Sequence, residues 1–430
     1  MLSKLNSKER FLRQVNKKTM ETKIFDDVLR RLKDIQKIEN LNDEEMEILS
    51  TPKRISKTDI KIGDQTLSAW RILFNDALGP GKGGIRFHPN VSEDEVKSLS
   101  FWMMIKNSLA DIPYGGAKGG IKFNPKEKDS KTLERISREF VHSFYKVLGQ
   151  DIDIPAPDVY TNSQTMAWML DQYEKEVGHH EPGMITGKPL ELQGCSLRAD
   201  ATARGTFIVI EQAIKDLKIK KGETLTFAVQ GFGNAGQNVC RMLYNAGYKI
   251  VAVSDSQGGV YDKKGLDIVN LSKIKVEGRS VSDGFDGNKI SNSELLELSV
   301  DVLILAALEN QITEENASKI KSKYIVEMAN GPVTYDADKI LFKNGVMIIP
   351  DVLANSGGVV VSYFEWAQNR SGDIVSEEYL KELLKSKMLL SWKKVFNAFV
   401  SNKGKIDLRT MSYSIAIKKI LSAEKLRGNL

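Results

Sequence analysis

Three lysines stand in settings that suit chemistry. Lys118 lies in "PYGGAKGGIKFNP" (113–125), Lys82 in "GPGKGGIRFHP" and Lys106 in "MMIKNSLADIP". Most lysines are solvated surface charges, and a glycine-rich stretch around one of them also reads as a surface turn. Two of the three, however, are flanked by glycine pairs, and glycine costs backbone entropy on folding. The absent side chains leave room beside the amine. If the three lysines converge, they form a positive pocket suited to a small dicarboxylate. Mutual repulsion and partial burial then lower one amine toward neutrality, where it serves as a base. Asp158, at the end of "DIPAPD", is the candidate acidic partner; the alternative is a helix cap, for which Asn162 competes.

A second constellation concerns phosphate. "AVQGFGNAGQNVCRMLYNAG" holds Gly231-x-Gly233-x-x-Gly236. A β-rich run precedes it, a helical pattern follows, and a second β-run ends in Asp255, 24 residues after Gly231. The first glycine makes the tight turn, the second admits pyrophosphate to a helix N-terminus, and the third lets helix and strand pack closely. A ligand-free βα turn is the bland alternative; the context favours a dinucleotide. Asn310, Asn330 and Asn355 each follow a later β-run, where ligands of open α/β sheets sit. Singly each reads as a turn residue; together they point to ligand contact.

The elements that must position these groups fall into two textures. Residues 23–41 read as an amphipathic helix through Ile24, Val28, Leu32, Ile35 and Ile38. "RISKTDIKIGDQTLSAWRILFN" reads as two strands around a Gly63-Asp64 turn. Helices are expected over 93–110, carrying Lys106, over 130–148, entered through Ser130, and over "NSQTMAWMLDQYEKEVG", closing at Gly178. From about residue 190 short β-runs alternate with helical stretches: 224–230, 248–255, 300–308, 324–329 and 346–352. That alternation predicts a doubly wound parallel sheet. After residue 360 the pattern is helical, through "SYFEWAQN", 377–401 and 411–427. The stretch 280–290 reads as a flexible insertion.

Bulk properties narrow the class. A chain of 430 residues is long for one core, so two domains are expected. It is 41% apolar and 27% charged, with a net charge of +6 and no dense basic run, which disfavours nucleic acid. The polar start "MLSKLNSKERFLRQVNKK" does not read as a signal peptide. No apolar stretch approaches ~18 residues, so no membrane partner is expected. Two cysteines, Cys195 and Cys240, fit a reducing cytosol rather than a disulfide framework. His88, His142, His179 and His180 show no metal-ligand spacing, and no metal is expected.

Taken together, "GPGKGGIRFHP", "KNSLADIPYGGAKGG", "DIPAPDV", "ATARG", "QGFGNAG", "VAVSDSQGG", "ANGPVT" and "NSGGVVVSYFEW" resemble the glutamate/leucine/phenylalanine/valine dehydrogenase family, and within it the hexameric glutamate dehydrogenases. The resemblance runs from about residue 40 to the C-terminus. It implies an α/β chain of two domains: a substrate-binding and oligomerisation domain at 1–190, joined by returning helices at 395–430, and a Rossmann-like dinucleotide domain at 191–370. A helical segment, 371–430, packs back on the cleft.

The resemblance also implies roles. Lys118 matches the lysine that activates water, and Asp158 its proton-transfer partner. Lys106 matches the holder of the α-carboxylate. Lys82 with Ser356 matches the pair that holds the side-chain carboxylate, and Arg198 an arginine at its edge. Met103 and Leu353 match pocket-lining positions. Thr202 and Asn234 match nicotinamide and ribose or pyrophosphate contacts, beside Gly231, Gly233, Gly236, Asn330 and Asn355. On this reading the glycines around Lys118 keep the cleft floor bare for substrate and nicotinamide. Lys82 and Ser356 favour glutamate, because an unpaired ammonium facing an apolar side chain is costly. Asp255 points to NAD, whereas Ser254, Ser256, Lys263 and Lys264 suit the 2′-phosphate of NADP, so the cofactor is NAD or NADP. The expected working form is a cytoplasmic homohexamer. A dehydrogenase for leucine, valine or phenylalanine, and a non-catalytic cofactor-binding subunit, are the alternatives.

Overall fold

The computed structural model describes residues 24–219, 225–283, 285 and 287–430. The polar N-terminal stretch, Lys23 and Thr224 of the expected elements, and Gly284 and Asp286 of the expected insertion lie outside the described residues.

The strands of the first half are β1 (Arg54–Ile62), β2 (Gln65–Asn75), β3 (Gly81–Lys82), β4 (Ile85–His88), β5 (Gly116–Lys122) and β6 (Asp153–Ile154). β1 and β2 form the expected hairpin, with Gly63 at φ +58° in its turn. The sheet runs β1-β2-β5-β4, antiparallel except for the β4–β5 pair. β2 is buried on both faces. Trp70 and Ile72 pack with Val96 on the long helix Glu93–Leu109. Leu67 and Ala69 join Phe140 and Met169 from the helices Ser130–Phe144 and Ser163–Val177. Period-two side-chain alternation produces this division. β3 and β6 form a separate two-residue parallel pair.

The helix expected to start through Ser130 is instead capped by Asp129, whose carboxylate accepts from the Thr132 N–H at 2.8 Å. It ends at Phe144, and a 3₁₀ turn over Tyr145–Val147 follows. Asn162 caps the next helix and Gly178 closes it at φ +76°. In the helix Ile24–Glu39, Phe25, Val28, Leu32 and Ile35 are buried, while Ile24 and Ile38 flank the stripe and stay exposed.

The second sheet contains β7 (Thr226–Gln230), β8 (Lys249–Asp255), β9 (Gly258–Tyr261), β10 (Asn288–Ile290), β11 (Val302–Leu305), β12 (Tyr324–Glu327) and β13 (Met347–Ile349). Its order is β10-β9-β8-β7-β11-β12-β13. The five strands from β8 to β13 in that order are parallel. The order reverses direction at β7, the switch point at which such sheets bind ligands. β9 and β10 add an antiparallel edge that apolar runs do not reveal, because both are short and partly exposed. The expected insertion at 280–290 therefore contains a strand.

Three helices end the chain: Gly357–Ser371, Glu377–Ser401 and Leu408–Leu426. The last packs on Glu93–Leu109, where the Ser108 hydroxyl donates to the Ala416 carbonyl at 2.9 Å. No helix among the described residues is long and apolar enough to cross a membrane.

Candidate active site

Lys118 sits on β5 opposite Ile72, and its ammonium pairs with Asp158. Asp158 is free for this because Asn162 takes the cap. The Asp158 loop is fixed by Thr161, whose hydroxyl accepts from the Asp158 N–H at 2.7 Å and donates to the Ile85 carbonyl at 2.9 Å. The second Asp158 oxygen accepts from Arg86 Nε at 2.9 Å. Burial raises the Asp158 carboxyl, but Lys118 and Arg86 outweigh it and hold the group well below the usual carboxylate range. Burial pulls Lys118 down, and Asp158 opposes that shift.

Lys82 ends β3, 1% exposed, and its Nζ donates to the carbonyls of Ile154 (3.2 Å) and Pro155 (3.0 Å). Burial, then the nearby Arg198 and Arg71, push its ammonium down strongly. Lys106, near the C-terminus of its helix, donates to Asn330 Oδ1 at 3.0 Å; burial lowers it to about 8. Arg198 donates to the Gly358 carbonyl at 3.1 Å, and its buried Nε has no hydrogen-bond partner.

One cavity of about 210 Å³ gathers these groups. Lys82, Lys106, Lys118, Arg198 and Asp158 are its charged residues, and Met103, Thr202, Asn330 and Asn355 also line it. Two expected members do not. Ser356 is buried and donates to the Leu353 carbonyl at 2.9 Å. Leu353 is fully buried in the core. Their places are taken by Ser362 and Val359 on the helix Gly357–Ser371, with Met328 beyond β12. The missed signal is helical phase: 355, 358, 359 and 362 recur at the spacing of one helix face. Asn310 lies outside this cavity; its N–H donates to the Gly331 carbonyl.

The glycines around Lys118 serve packing. A Cβ at Gly115 would collide with the Asn75 carbonyl and one at Gly116 with Met104, while one at Gly120 would lie 2.8 Å from Val91. None of these four glycines, 115, 116, 119 or 120, lines the cavity; Gly83, Gly84 and Gly358 do. The bare-floor expectation is therefore corrected. The glycines let β5 approach its neighbours, and that approach carries Lys118 inward.

A second cavity, about 370 Å³, shares Pro157, Arg198 and Thr202 with the first and adds Asn234, Ala235 and Asn238. It opens at the turn after β7. Gly231 holds φ +96°, and a Cβ there would lie 2.7 Å from the Ala306 carbonyl. A Cβ at Gly236 would strike the Gly231 oxygen, so helix and strand touch there. Nothing lies within 4 Å of a Cβ built at Gly233, and that residue begins the helix Asn234–Asn245 with no side-chain cap. A bare helix N-terminus beside an open glycine fits a pyrophosphate. Asp255 is engaged within the protein itself. Its carboxylate already accepts from Lys275 Nζ (2.9 Å), the Ser280 hydroxyl (2.9 Å) and the N–H groups of Gln257 and Val281 (both 3.0 Å). It braces the 280–283 turn, and Lys275 meets its charge. Among the described residues no group of His, Cys, Asp and Glu side chains has the arrangement of a metal site.

Known proteins resemble the chain throughout. Residues 194–428 match the model of the Glutamate/Leucine/Phenylalanine/Valine dehydrogenase family, and residues 52–175 that of the Glu/Leu/Phe/Val dehydrogenase dimerisation domain. The cryptic catabolic NAD-specific glutamate dehydrogenase GudB of Bacillus subtilis is 44% identical over 395 residues, covering 90% of this chain and 91% of that protein. The NADP-specific glutamate dehydrogenase of Synechocystis sp. is 43% identical, covering 95% and 98%. Among solved structures, glutamate dehydrogenase from Peptoniphilus asaccharolyticus is 37% identical with a TM-score of 0.81, covering 95% of this chain and 100% of that one. The hetero-hexameric glutamate dehydrogenase from Thermus thermophilus is 31% identical with a TM-score of 0.88, covering 95% and 98%.

Proposed function

This chain belongs to the glutamate/leucine/phenylalanine/valine dehydrogenase family, and we propose that the cavity between its two sheets is where it acts on L-glutamate. It catalyses the reversible NAD- or NADP-dependent oxidative deamination of L-glutamate to 2-oxoglutarate and ammonium. The observation that carries the substrate is charge: four basic side chains and one carboxylate line the cavity. Lys82 has no ion-pair partner among the described residues, and burial pushes its ammonium down; a side-chain carboxylate brings the counter-ion that restores the charge, whereas an apolar amino acid does not.

Within this reading Lys106 binds the α-carboxylate. Lys82 binds the side-chain carboxylate with Ser362, which replaces Ser356, and Arg198 stands at the edge. Met103 and Val359 flank the carbon chain. Lys118, neutral when it acts, takes a proton from the water that attacks the substrate imine carbon. Asp158 passes protons to and from the departing nitrogen. The turn built by Gly231 and Gly236 presents Gly233 and the helix N-terminus to the pyrophosphate, and Asn234, Thr202, Asn330 and Asn355 border the nicotinamide side. When bound, the nicotinamide ring supplies the hydride acceptor. Because Lys275 meets the charge of Asp255, Asp255 does not by itself choose between NAD and NADP.

The working form is proposed to be a cytoplasmic homohexamer: two buried free cysteines are in keeping with a reducing compartment, and the Thermus relative, named a hetero-hexamer, is in keeping with six subunits. The test crosses glutamate, leucine, valine and phenylalanine with NAD and NADP, following nicotinamide reduction. Turnover with glutamate alone is expected. Turnover with leucine or phenylalanine instead overturns the substrate assignment, and light-scattering mass checks the assembly.

A further inference from the structure

Arg86 does not line the substrate cavity, yet it binds the residue at its chemical centre. It stands on β4, beside the strand that carries Lys118. One arm, Nε, donates to Asp158 Oδ1 at 2.9 Å, while Lys118 holds Oδ2. The other arm pairs with Glu95, in the first turn of the helix that carries Met103 and Lys106. Only 13% of the side-chain surface of Arg86 or Asp158 is exposed, so solvent screens the pair little. Arginine keeps its proton at any working pH. Lys118 cannot, if it is to act as a base. Asp158 therefore has one counter-ion that comes and goes with catalysis and one that is permanent.

We propose that Arg86 is a positioning residue that anchors Asp158 against Lys118 and sets the proton balance of that pair. The proposal rests on the roles given above to Lys118 and Asp158. The charged groups around the pair are Arg86 from β4, Lys118 from β5, and Glu95 and Lys106 from the long helix, with Asp351 acting on Lys106 from the second sheet. Arg86 lowers the ammonium of Lys118 and Glu95 raises it, because like charge disfavours and opposite charge favours the ionised form. Removing the cation moves both members of the pair up. Removing Glu95 moves them down. A residue that merely supports the fold has no such signed pair of effects.

The experiment is kcat against pH for glutamate oxidation, with glutamate and cofactor saturating, for the wild type, Arg86→Gln, Arg86→Lys, Glu95→Gln and Lys118→Ala. In Arg86→Gln the acid-limb midpoint is expected to rise by about one pH unit. Activity on that limb then falls about tenfold relative to the plateau. Arg86→Lys should restore the midpoint, because it restores the charge. Glu95→Gln should shift the midpoint down. Unshifted acid limbs in both Arg86→Gln and Glu95→Gln, or losses equal at every pH, overturn the assignment. If Arg86→Gln does not fold, the direction of the Glu95→Gln shift decides. Retained turnover in Lys118→Ala would overturn the reading of the site itself. An inactive Lys118→Ala with unshifted profiles elsewhere overturns only the role of Arg86.

Discussion

Lys106 and Asn330 meet across the cleft: the ammonium of one, on the long helix of the first half, lies 3.0 Å from the amide oxygen of the other, beyond β12. Asn330 in turn accepts from Asn355 Nδ2 at 2.9 Å, and the adjacent Gly331 N–H donates to Asp351 at 2.9 Å. The ammonium proposed to hold the α-carboxylate is thus tied to the strand ends of the second sheet.

Burial lowers Lys106 to about 8. A neutral amine does not hold a carboxylate, so KM for glutamate should climb as pH passes about 8. Replacing Lys106 by Arg, which stays charged, should remove that climb even if it raises KM overall. Initial rates at pH 7, 8 and 9 check this; a KM profile in Lys106→Arg that still bends near pH 8 assigns the titration elsewhere.

The two serines separate cleanly. Ser362→Ala should lower kcat/KM for glutamate by about tenfold, the worth of one hydrogen bond to a charged group. Ser356→Ala should cost about 1 kcal/mol of stability and leave KM unchanged, because its hydroxyl serves the Leu353 carbonyl. Kinetics and thermal melts of both variants distinguish them, and the reverse pattern would restore Ser356 to the site.

Asp255 braces a turn, and Lys275 already meets its charge. Asp255→Ser should therefore weaken NAD and NADP by similar factors, through loss of the ties to Lys275, Ser280 and Val281. A variant that gains NADP activity while losing NAD activity would show the carboxylate to be the selector after all. The readout is the ratio of kcat/KM for the two cofactors.

Behind the site, three buried carboxylates, Glu327, Asp338 and Asp351, share Arg409, with Arg31 also on Asp338. Burial raises Glu327 to about 7 although Arg409 opposes it. Its folded value lies above its unfolded one. The stability it contributes is therefore full below about pH 4.5 and is lost as pH rises to about 7, a change of up to about 3 kcal/mol. Glu327→Gln cannot titrate. Its melting temperature relative to wild type should rise between pH 5 and pH 7.5, and a constant difference would place the titration in another group.

The sequence by itself determined whatever depends on neighbours along the chain. The hairpin at Gly63-Asp64, the glycine turn after β7, the parallel sheet and the lysine-bearing segments are all set by local spacing and by side chains that glycine lacks. Cavity membership was legible for Lys82, Lys106, Lys118, Asp158 and Arg198, because those residues sit in distinctive motifs. Tertiary structure decided the rest. Helical phase turned Ser362 into the cavity and Ser356 into the core. Lys275 and Ser280, 20 and 25 residues away, engaged the carboxylate of Asp255. The glycines beside Lys118 met the Asn75 carbonyl and Met104 rather than open space. Arg86 reached Asp158 across 72 residues of chain. A local pattern fixes which conformation a segment adopts. Which atom finally satisfies a buried charge depends on what the fold brings to it from elsewhere.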